Sequence, residues 1–252
     1  LKRHSQGHPM AALRWFVFVV LALCAGFADA ATLTVTNLND SGAGSLRDQI
    51  SLAASSGDDI VFQTSLTGTI SLASELVVNK GLTITGPTGS PGVTIHGNNA
   101  VRCFHLGTVA PGSAITVTLK NLTIWRGQVS GSTNGGAGIR VANFQVSLAL
   151  ENVTISECIS VGAPGGGIRV VNGGTLAATS CTFNGNQTSN VTSASGGGLE
   201  ASGLGGGSTL TNCQFLSNQC YANGGGANFG AAVQTLINCT FSGNSTLAGN
   251  GG

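Results

Sequence analysis

Charge is what this sequence has least of. Asp, Glu, Lys and Arg make up 8% of its 252 residues, and aspartate does not occur after Asp59. Glu75, Glu151, Glu157 and Glu200 are the later acids. Glycoside hydrolysis needs two carboxylates facing one cleft, and a calcium-assisted lyase needs clustered carboxylates beside a base. Acids this sparse assemble neither. The nearest pair, Glu151 and Glu157, falls on a strand and on the turn that follows it. Histidine is equally thin: His96 and His105 are the two beyond the start region, with no Cys or acid at ligand spacing. No metal centre and no Ser/His/Asp set is expected. No GK[ST] follows any glycine run, so these runs are not phosphate loops. No catalytic residue and no cofactor is assigned.

Glycine is what the sequence has in excess, 40 residues of 252, and it is ordered. GGGIRVVNGGTLAATSCTFNGN (165–186) recurs as GGGLEASGLGGGSTLTNCQFLSN (196–218) and GGGANFGAAVQTLINCTFSGN (224–244). A weaker copy, GGAGIRVANFQVSLALENVTISEC, covers 135–158. The last glycines of the four openings, Gly138, Gly167, Gly198 and Gly226, stand 29, 31 and 28 residues apart. A period in this range marks a solenoid, whose units bury their apolar faces against one another. The units hold short apolar/polar alternations broken by glycine, which is strand patterning. A unit of about 28 residues pairs with the equivalent strands of the next, so the sheets are parallel. The expectation is an all-β, right-handed parallel β-helix, right-handedness being the default of parallel crossovers.

The units align further. Leu119–Ile124, Leu150–Ile155, Ala178–Phe183, Leu210–Phe215 and Leu236–Phe241 share one pattern, with Asn121, Asn152, Ser180, Asn212 and Asn238 in the middle. Leu119 and Ile124 are five apart, so the inward phase flips at the Asn and a corner is expected there. Asn tolerates the left-handed backbone of a sharp corner, and stacked amides form a ladder. The inward stacks expected are Leu122/Val153/Cys181/Cys213/Cys239 and Ile124/Ile155/Phe183/Phe215/Phe241.

These residues resemble a known family. GG[AG][ILV] followed by FxxN is the repeat signature of the chlamydial-type polymorphic outer-membrane proteins. GGGI with Phe183 and Asn186, GGGL with Phe215 and Asn218, and GGGA with Phe241 and Asn244 are similar to it, over residues 135–252. The unit at Gly135 departs, with Ile155-Ser156-Glu157-Cys158 in place of FxxN. The resemblance implies a secreted or surface-exposed bacterial β-helix of the pectin-lyase-like fold, an adhesin or autotransporter passenger, with structural rather than catalytic motifs.

In chain order, Met10–Ala30 carries Arg14, an apolar run from Trp15 to Ala28 and an Ala28-Asp29-Ala30 ending. That is a signal peptide cleaved between Ala30 and Ala31; the run is short of the ~20 residues that span a bilayer. The segment after it then holds seven basic and eight acidic residues, a net charge of −1 against +1 for the whole chain. This gives no electrostatic case for nucleic acid or anionic membrane. Residues 31–64 form an N-terminal cap: a strand from Thr32, then a short helix opened by Ser45 with Asp48 three residues on. The run TNLNDSGAGSLRDQI…GDDIVF…GTISL…LTITG resembles the N-terminal region of exported bacterial β-helix proteins. Residues 65–134 make early coils and 135–252 regular ones, about seven in all. The chain ends where another opening is due, with no polar cap. This predicts a fragment of a longer protein, with a possible outer-membrane barrel or anchor downstream.

The loops after FxxN, 159–164, 187–195 and 219–223, vary in length and gather on one face. They are solvated connectors or a face that binds a surface glycan or protein. Arg140 and Arg169 hold equivalent positions and stack on one outer face, as an anion contact or a solvated pair. Trp125 beside Arg126 is a sugar-stacking patch or ordinary packing. Cys181, Cys213 and Cys239 read as buried apolar fillers; Cys158–Cys181 and Cys213–Cys220 are candidate disulfides. The reading that fits best is a non-catalytic exported β-helix that binds partners. The alternatives are a polysaccharide lyase or hydrolase scaffold whose acids lie elsewhere, and a passive spacer.

Overall fold

A computed structural model describes residues 30–54, 57–89, 92–108, 114–131, 135–189, 194–201, 207–230 and 234–251. Of the leader assigned to 10–30, residues 10–29 lie outside the described residues. The chain forms a parallel β-solenoid of about seven coils with four walls, and every strand pairing is parallel. The first wall has eight strands, including Asp58–Phe62, Leu82–Thr85, Ile115–Lys120, Val146–Glu151, Thr175–Thr179 and Ser208–Thr211. The second has seven, among them Val93–His96, Leu122–Trp125, Thr154–Ser156, Thr182–Asn184 and Gln214–Leu216. The third has five: Gln128–Ser130, Ile159–Val161, Gln187–Ser189, Gln219–Cys220 and Ser245–Thr246. The fourth has six: Leu76–Val78, Phe104–Leu106, Ile139–Val141, Ile168–Val170, Leu199–Ala201 and Ala227–Phe229.

Each coil runs from first wall to fourth, and the corners are set by backbone chemistry. Between the first and second walls stand Asn121, Asn152, Ser180, Asn212 and Asn238, all with φ between 50° and 55°. Left-handed backbone costs a side chain about 1–2 kcal/mol, least for Asn. The corner amides bond along the axis: Asn152 Nδ2 donates to Asn121 Oδ1 at 2.9 Å and Asn238 Nδ2 to Asn212 Oδ1 at 2.7 Å. Ser180 divides this outer ladder in two. A second left-handed corner, at Arg126, Glu157, Gly185, Ser217 and Gly243, turns each coil from the second wall into the third.

The third wall departs from the sequence expectation. Residues after FxxN read as loops, yet each begins with a short strand. Ser160, Thr188 and Cys220 are fully buried there. The strands are two or three residues long, too short for an alternation to stand out. Ser160 and Thr188 are tolerated inside because their hydroxyls donate to Ala163 O and Ala194 O, at 2.8 and 3.0 Å.

The core is built of stacks. Ile124, Ile155, Phe183, Phe215 and Phe241 align in register from coil to coil. The three Phe rings lie 4.4 and 4.6 Å apart, tilted by 3°. Coil spacing, about 4.8 Å, imposes this near face-to-face geometry. Beside them the FxxN asparagines form a buried ladder. Asn186 Nδ2 donates to Asn218 Oδ1, and Asn218 Nδ2 to Asn244 Oδ1, each at 3.0 Å. Each amide also reaches a Phe or Ile carbonyl one coil back: Ile155 O, Phe183 O and Phe215 O accept at 2.8–2.9 Å. Cys158, standing where the Asn would be, ends this ladder; its N–H donates to Asn186 Oδ1 at 3.1 Å.

The opening glycines explain why GGG and FxxN travel together. A Cβ on Gly198 would stand 3.1 Å from both Phe215 Cδ1 and Asn218 Cγ, and one on Gly226 2.9 Å from Phe241 Cδ1. At Gly167 it would approach Asn186, and at Gly138 Ile155 and Cys158. The glycine is missing its side chain so that the Phe and Asn have room. All six described cysteines are free thiols. Cys158 and Cys220 are buried, so the candidate disulfides are not formed; these positions are inside the coil, not on mobile turns.

At the N-terminal end, α1 (Leu46–Leu52) covers the first coil. Ser45 caps it by accepting from Asp48 N, and Leu46, Ile50 and Ala53 face the core.

Candidate functional site

The outward positions of the fourth wall bring together two arginines, a histidine and a glutamate. Pairing puts Val77, His105, Arg140, Arg169, Glu200 and Asn228 in one column, one residue per coil. In each strand the middle residue takes the outward side of the sheet, although Glu200 there is itself buried. IRV occurs twice for this reason: Ile139, Val141, Ile168 and Val170 are core, and Arg140 and Arg169 are what remains outside.

Arg102 completes the cluster from the turn below. Its Nε donates to Gly136 O at 3.0 Å and its Nη1 to Glu75 Oε2 at 2.5 Å. His105 Nδ1 lies 2.9 Å from Glu75 Oε1 and 3.2 Å from Arg102 Nη1. The hydrogen bond from His105 holds the Glu75 carboxyl below its ordinary range against the opposing effect of burial, with help from the Arg102 charge. At the far end, Asn228 Nδ2 donates to Glu200 Oε2 at 2.8 Å.

The arginines are crowded. Burial lowers the pKa of Arg140, and the charges of Arg102 and Arg169 lower it further. Burial likewise lowers Arg169, with Glu200 opposing and Arg102 adding to the shift. The Arg169 stem lies against Gly135 and Gly136, whose missing side chains make its bed. Lys120 with Glu151 on the first wall and Arg126 with Glu157 at the second corner, both at 2.8 Å, form separate ion pairs, as Arg102 does with Glu75. The fourth wall differs in gathering three arginines, Arg102, Arg140 and Arg169, around Glu75 and Glu200. Arginine forks match carboxylate or sulfate groups two bonds at a time. A groove of about 350 Å³ continues the column, between α1 and the first fourth-wall strand, lined by Arg47, Ile50, Glu75, Val77, Asn79 and Lys80.

Other sequence candidates fall elsewhere. Trp125 is on the outer face of the second wall, but His96 packs on it at 4.7 Å and Arg126 covers it at 4.4 Å. Its ring is occupied by the protein's own side chains, which leaves little of it for a sugar. Glu151 is on the first wall and Glu157 at the second corner, each with its own cation. Gly138, Gly167, Gly198 and Gly226, the corner Asn121, Asn152, Asn212 and Asn238, and the FxxN residues serve the solenoid itself. Among the described residues, no three His, Cys, Asp or Glu side chains are grouped to hold a metal ion. No described helix is long and apolar enough to cross a membrane. The sequence singled out Arg140 and Arg169; it missed Arg102, His105, Glu75 and Glu200. The one available signal was position: His105 and Glu200 each sit between two apolar residues, like the arginines.

Comparison with known proteins adds a distant likeness. A probable pectate lyase C of Aspergillus terreus is 29% identical over 150 residues, which is 51% of this chain and 35% of that protein. Probable pectate lyases C of Neosartorya fischeri and Aspergillus flavus are 43% and 46% identical over 65 residues, covering 25% of this chain and 14% of theirs. The chain thus spans about a third of the first relative's length and about a seventh of the others'. The likeness suggests a pectin-lyase-like fold, in agreement with the solenoid. No protein-family model matches the chain, so the resemblance to polymorphic outer-membrane repeats rests on motifs alone. Among solved structures, ORF18 of Geobacillus virus E2 aligns with a TM-score of 0.33 and 11% identity, over 94% of this chain and 64% of that one, too loose a match to bear on function.

Proposed function

We propose that this chain is an exported β-solenoid that binds an acidic polysaccharide along its fourth wall without cleaving it. The observation that carries the reading is the pair Arg140 and Arg169, stacked on adjacent coils of one outer face with buried Arg102 behind them. Burial lowers the proton affinity of both, and the charge of Arg102, joined at Arg140 by that of Arg169, lowers it further. An anionic chain laid against them relieves that repulsion, and successive coils offer one contact about every 4.8 Å. The wall, rather than the loops after FxxN, is then the binding face. Export follows from the leader reading of residues 10–30, and display on a bacterial surface from the repeat resemblance.

A second reading is polyuronate cleavage by β-elimination, supported by the similarity to probable pectate lyases C. An arginine with lowered proton affinity is a candidate base for a proton beside a carboxylate. The two readings part in one experiment. The protein is incubated with polygalacturonate, alginate and a neutral glucan, and both retention and unsaturated chain ends are measured. Retention of the polyuronates without new ends supports binding. New ends, lost in the Arg140→Met variant, support the lyase. Equal retention of the neutral glucan refutes the charge argument for both.

A further inference from the structure

The N-terminal cap holds an arrangement that acquires meaning once the leader is cut. Ala31 N donates to Asp58 Oδ1 at 2.9 Å. The other oxygen, Oδ2, accepts from Ala54 N at 2.9 Å, just past the C-cap of α1. Asp58 is 1% exposed. Two backbone N–H groups thus hold this buried carboxylate at the C-terminal end of α1, where Lys80 Nζ also donates to Ser51 O and Ala53 O. The strand Thr32–Val35 that begins at this contact is an edge strand; it pairs with Asp58–Phe62 alone.

We propose that signal cleavage between Ala30 and Ala31 turns the Ala31–Asp58 hydrogen bond into an ion pair that fastens the first strand and closes the cap. This rests on reading residues 10–30 as a cleaved leader. Hydrolysis breaks the Ala30–Ala31 amide: water supplies the second oxygen of the Ala30 carboxylate, and both of its protons end on the Ala31 nitrogen. The new α-ammonium forms on the nitrogen that already faces Asp58 Oδ1, so no rearrangement is required. Before cleavage the same nitrogen offers one neutral N–H; afterwards it offers a full positive charge to an anion shielded from water. The cap is therefore completed only in the exported molecule, and the uncleaved chain keeps a weaker first strand.

The test uses the exported protein recovered from a secreting host. Its first residue is read by mass spectrometry, and its α-amine is titrated by reductive methylation in the native state and in urea. The expected result is Ala31 as first residue and native methylation slower by about tenfold or more, the equivalent of one pKa unit of protection. One glycine inserted ahead of Ala31 moves the charge off Asp58; it should restore fast methylation and lower the melting temperature. In an Asp58→Asn background the same insertion should change neither. Should D58N fail to fold, methylation of the native and inserted forms decides alone. Ala31 first but methylated at the unfolded rate overturns the proposal and leaves the leader reading intact. A different first residue overturns both.

Discussion

The buried asparagine ladder is the most exposed point of the structural account, and Asn218→Ala tests it. In the native coil the Asn218 side chain makes four contacts: it donates to Phe183 O and Asn244 Oδ1 and accepts from Asn186 N and Nδ2, at 2.9–3.0 Å. Alanine removes all four. Asn244 Oδ1 keeps the Asn218 backbone N–H, and Asn186 Nδ2 keeps Ile155 O. Asn186 N loses the partner recorded for it, while Phe183 O stays in the parallel pairing with Gln214–Leu216. Asn186 is fully buried; an unmade buried hydrogen bond costs about 1–3 kcal/mol, and each bond lost between groups that keep another partner about 1 kcal/mol. The four contacts together give a loss of about 3–5 kcal/mol, before any cavity is counted. The outer ladder supplies the control. Asn152 is exposed; Asn152→Ala gives up one solvent-facing bond and the tolerance of Asn for φ 53°, a loss of about 1–2 kcal/mol. Urea unfolding followed by far-UV circular dichroism measures both. Because each coil contacts its neighbours alone, native-state hydrogen exchange should place the N218A opening at residues 183–186 and 240–244. Equal losses of about 1 kcal/mol in the two variants would refute the buried-ladder reasoning.

Other perturbations follow from the same geometry. Gly198→Ala puts a Cβ 2.6 Å from Gly226 O and 3.1 Å from Phe215 and Asn218; overpacking of this kind costs about 1–3 kcal/mol, read as a fall in urea midpoint, and Phe215→Leu in the same chain should recover part of it. Glu75 has its carboxyl held below the ordinary value, first by His105. It therefore contributes stability above that value, lost as pH falls toward the lower folded-state one. Glu75→Gln should melt lower than the parent at neutral pH and converge with it in acid, and a constant gap across that range would exclude the His105–Glu75 bond. The thiols should be silent to a disulfide reagent at pH 8 in the native protein because they are buried, apart from half-buried Cys239. Burial also pushes the Cys158 thiol up to about 12, whereas the hydrogen bond with Cys181 lowers Cys213 to about 7, so that silence there rests on burial alone. Denatured exported protein should titrate six thiols, and fewer would mean a disulfide.

The sequence was informative wherever the solenoid repeats a side chain. The corner at Asn121, Asn152, Asn212 and Asn238 was legible because phase reverses there, and the Phe stack because Phe183, Phe215 and Phe241 keep one interval from their corners. What escaped was set by contacts between coils rather than by pattern within one. The second corner hides because Arg126, Glu157, Gly185, Ser217 and Gly243 share a backbone angle and no chemistry. The third wall hides because strands of two or three residues look like loops. The site was half legible. Arg140 and Arg169 stood out by repetition, whereas Arg102, Glu75 and His105 are brought together by turns that no motif marks.

The most direct test of the account is binding of polygalacturonate to the parent chain and to two variants, by isothermal calorimetry at low and moderate salt. One variant carries Arg140→Met and Arg169→Met, on the fourth wall; the other carries Lys120→Met, on the first. The account predicts that the double variant loses affinity by about tenfold or more and most of its salt dependence, while Lys120→Met binds like the parent. Unchanged binding by the double variant, or an equal loss in Lys120→Met, would contradict a fourth-wall site.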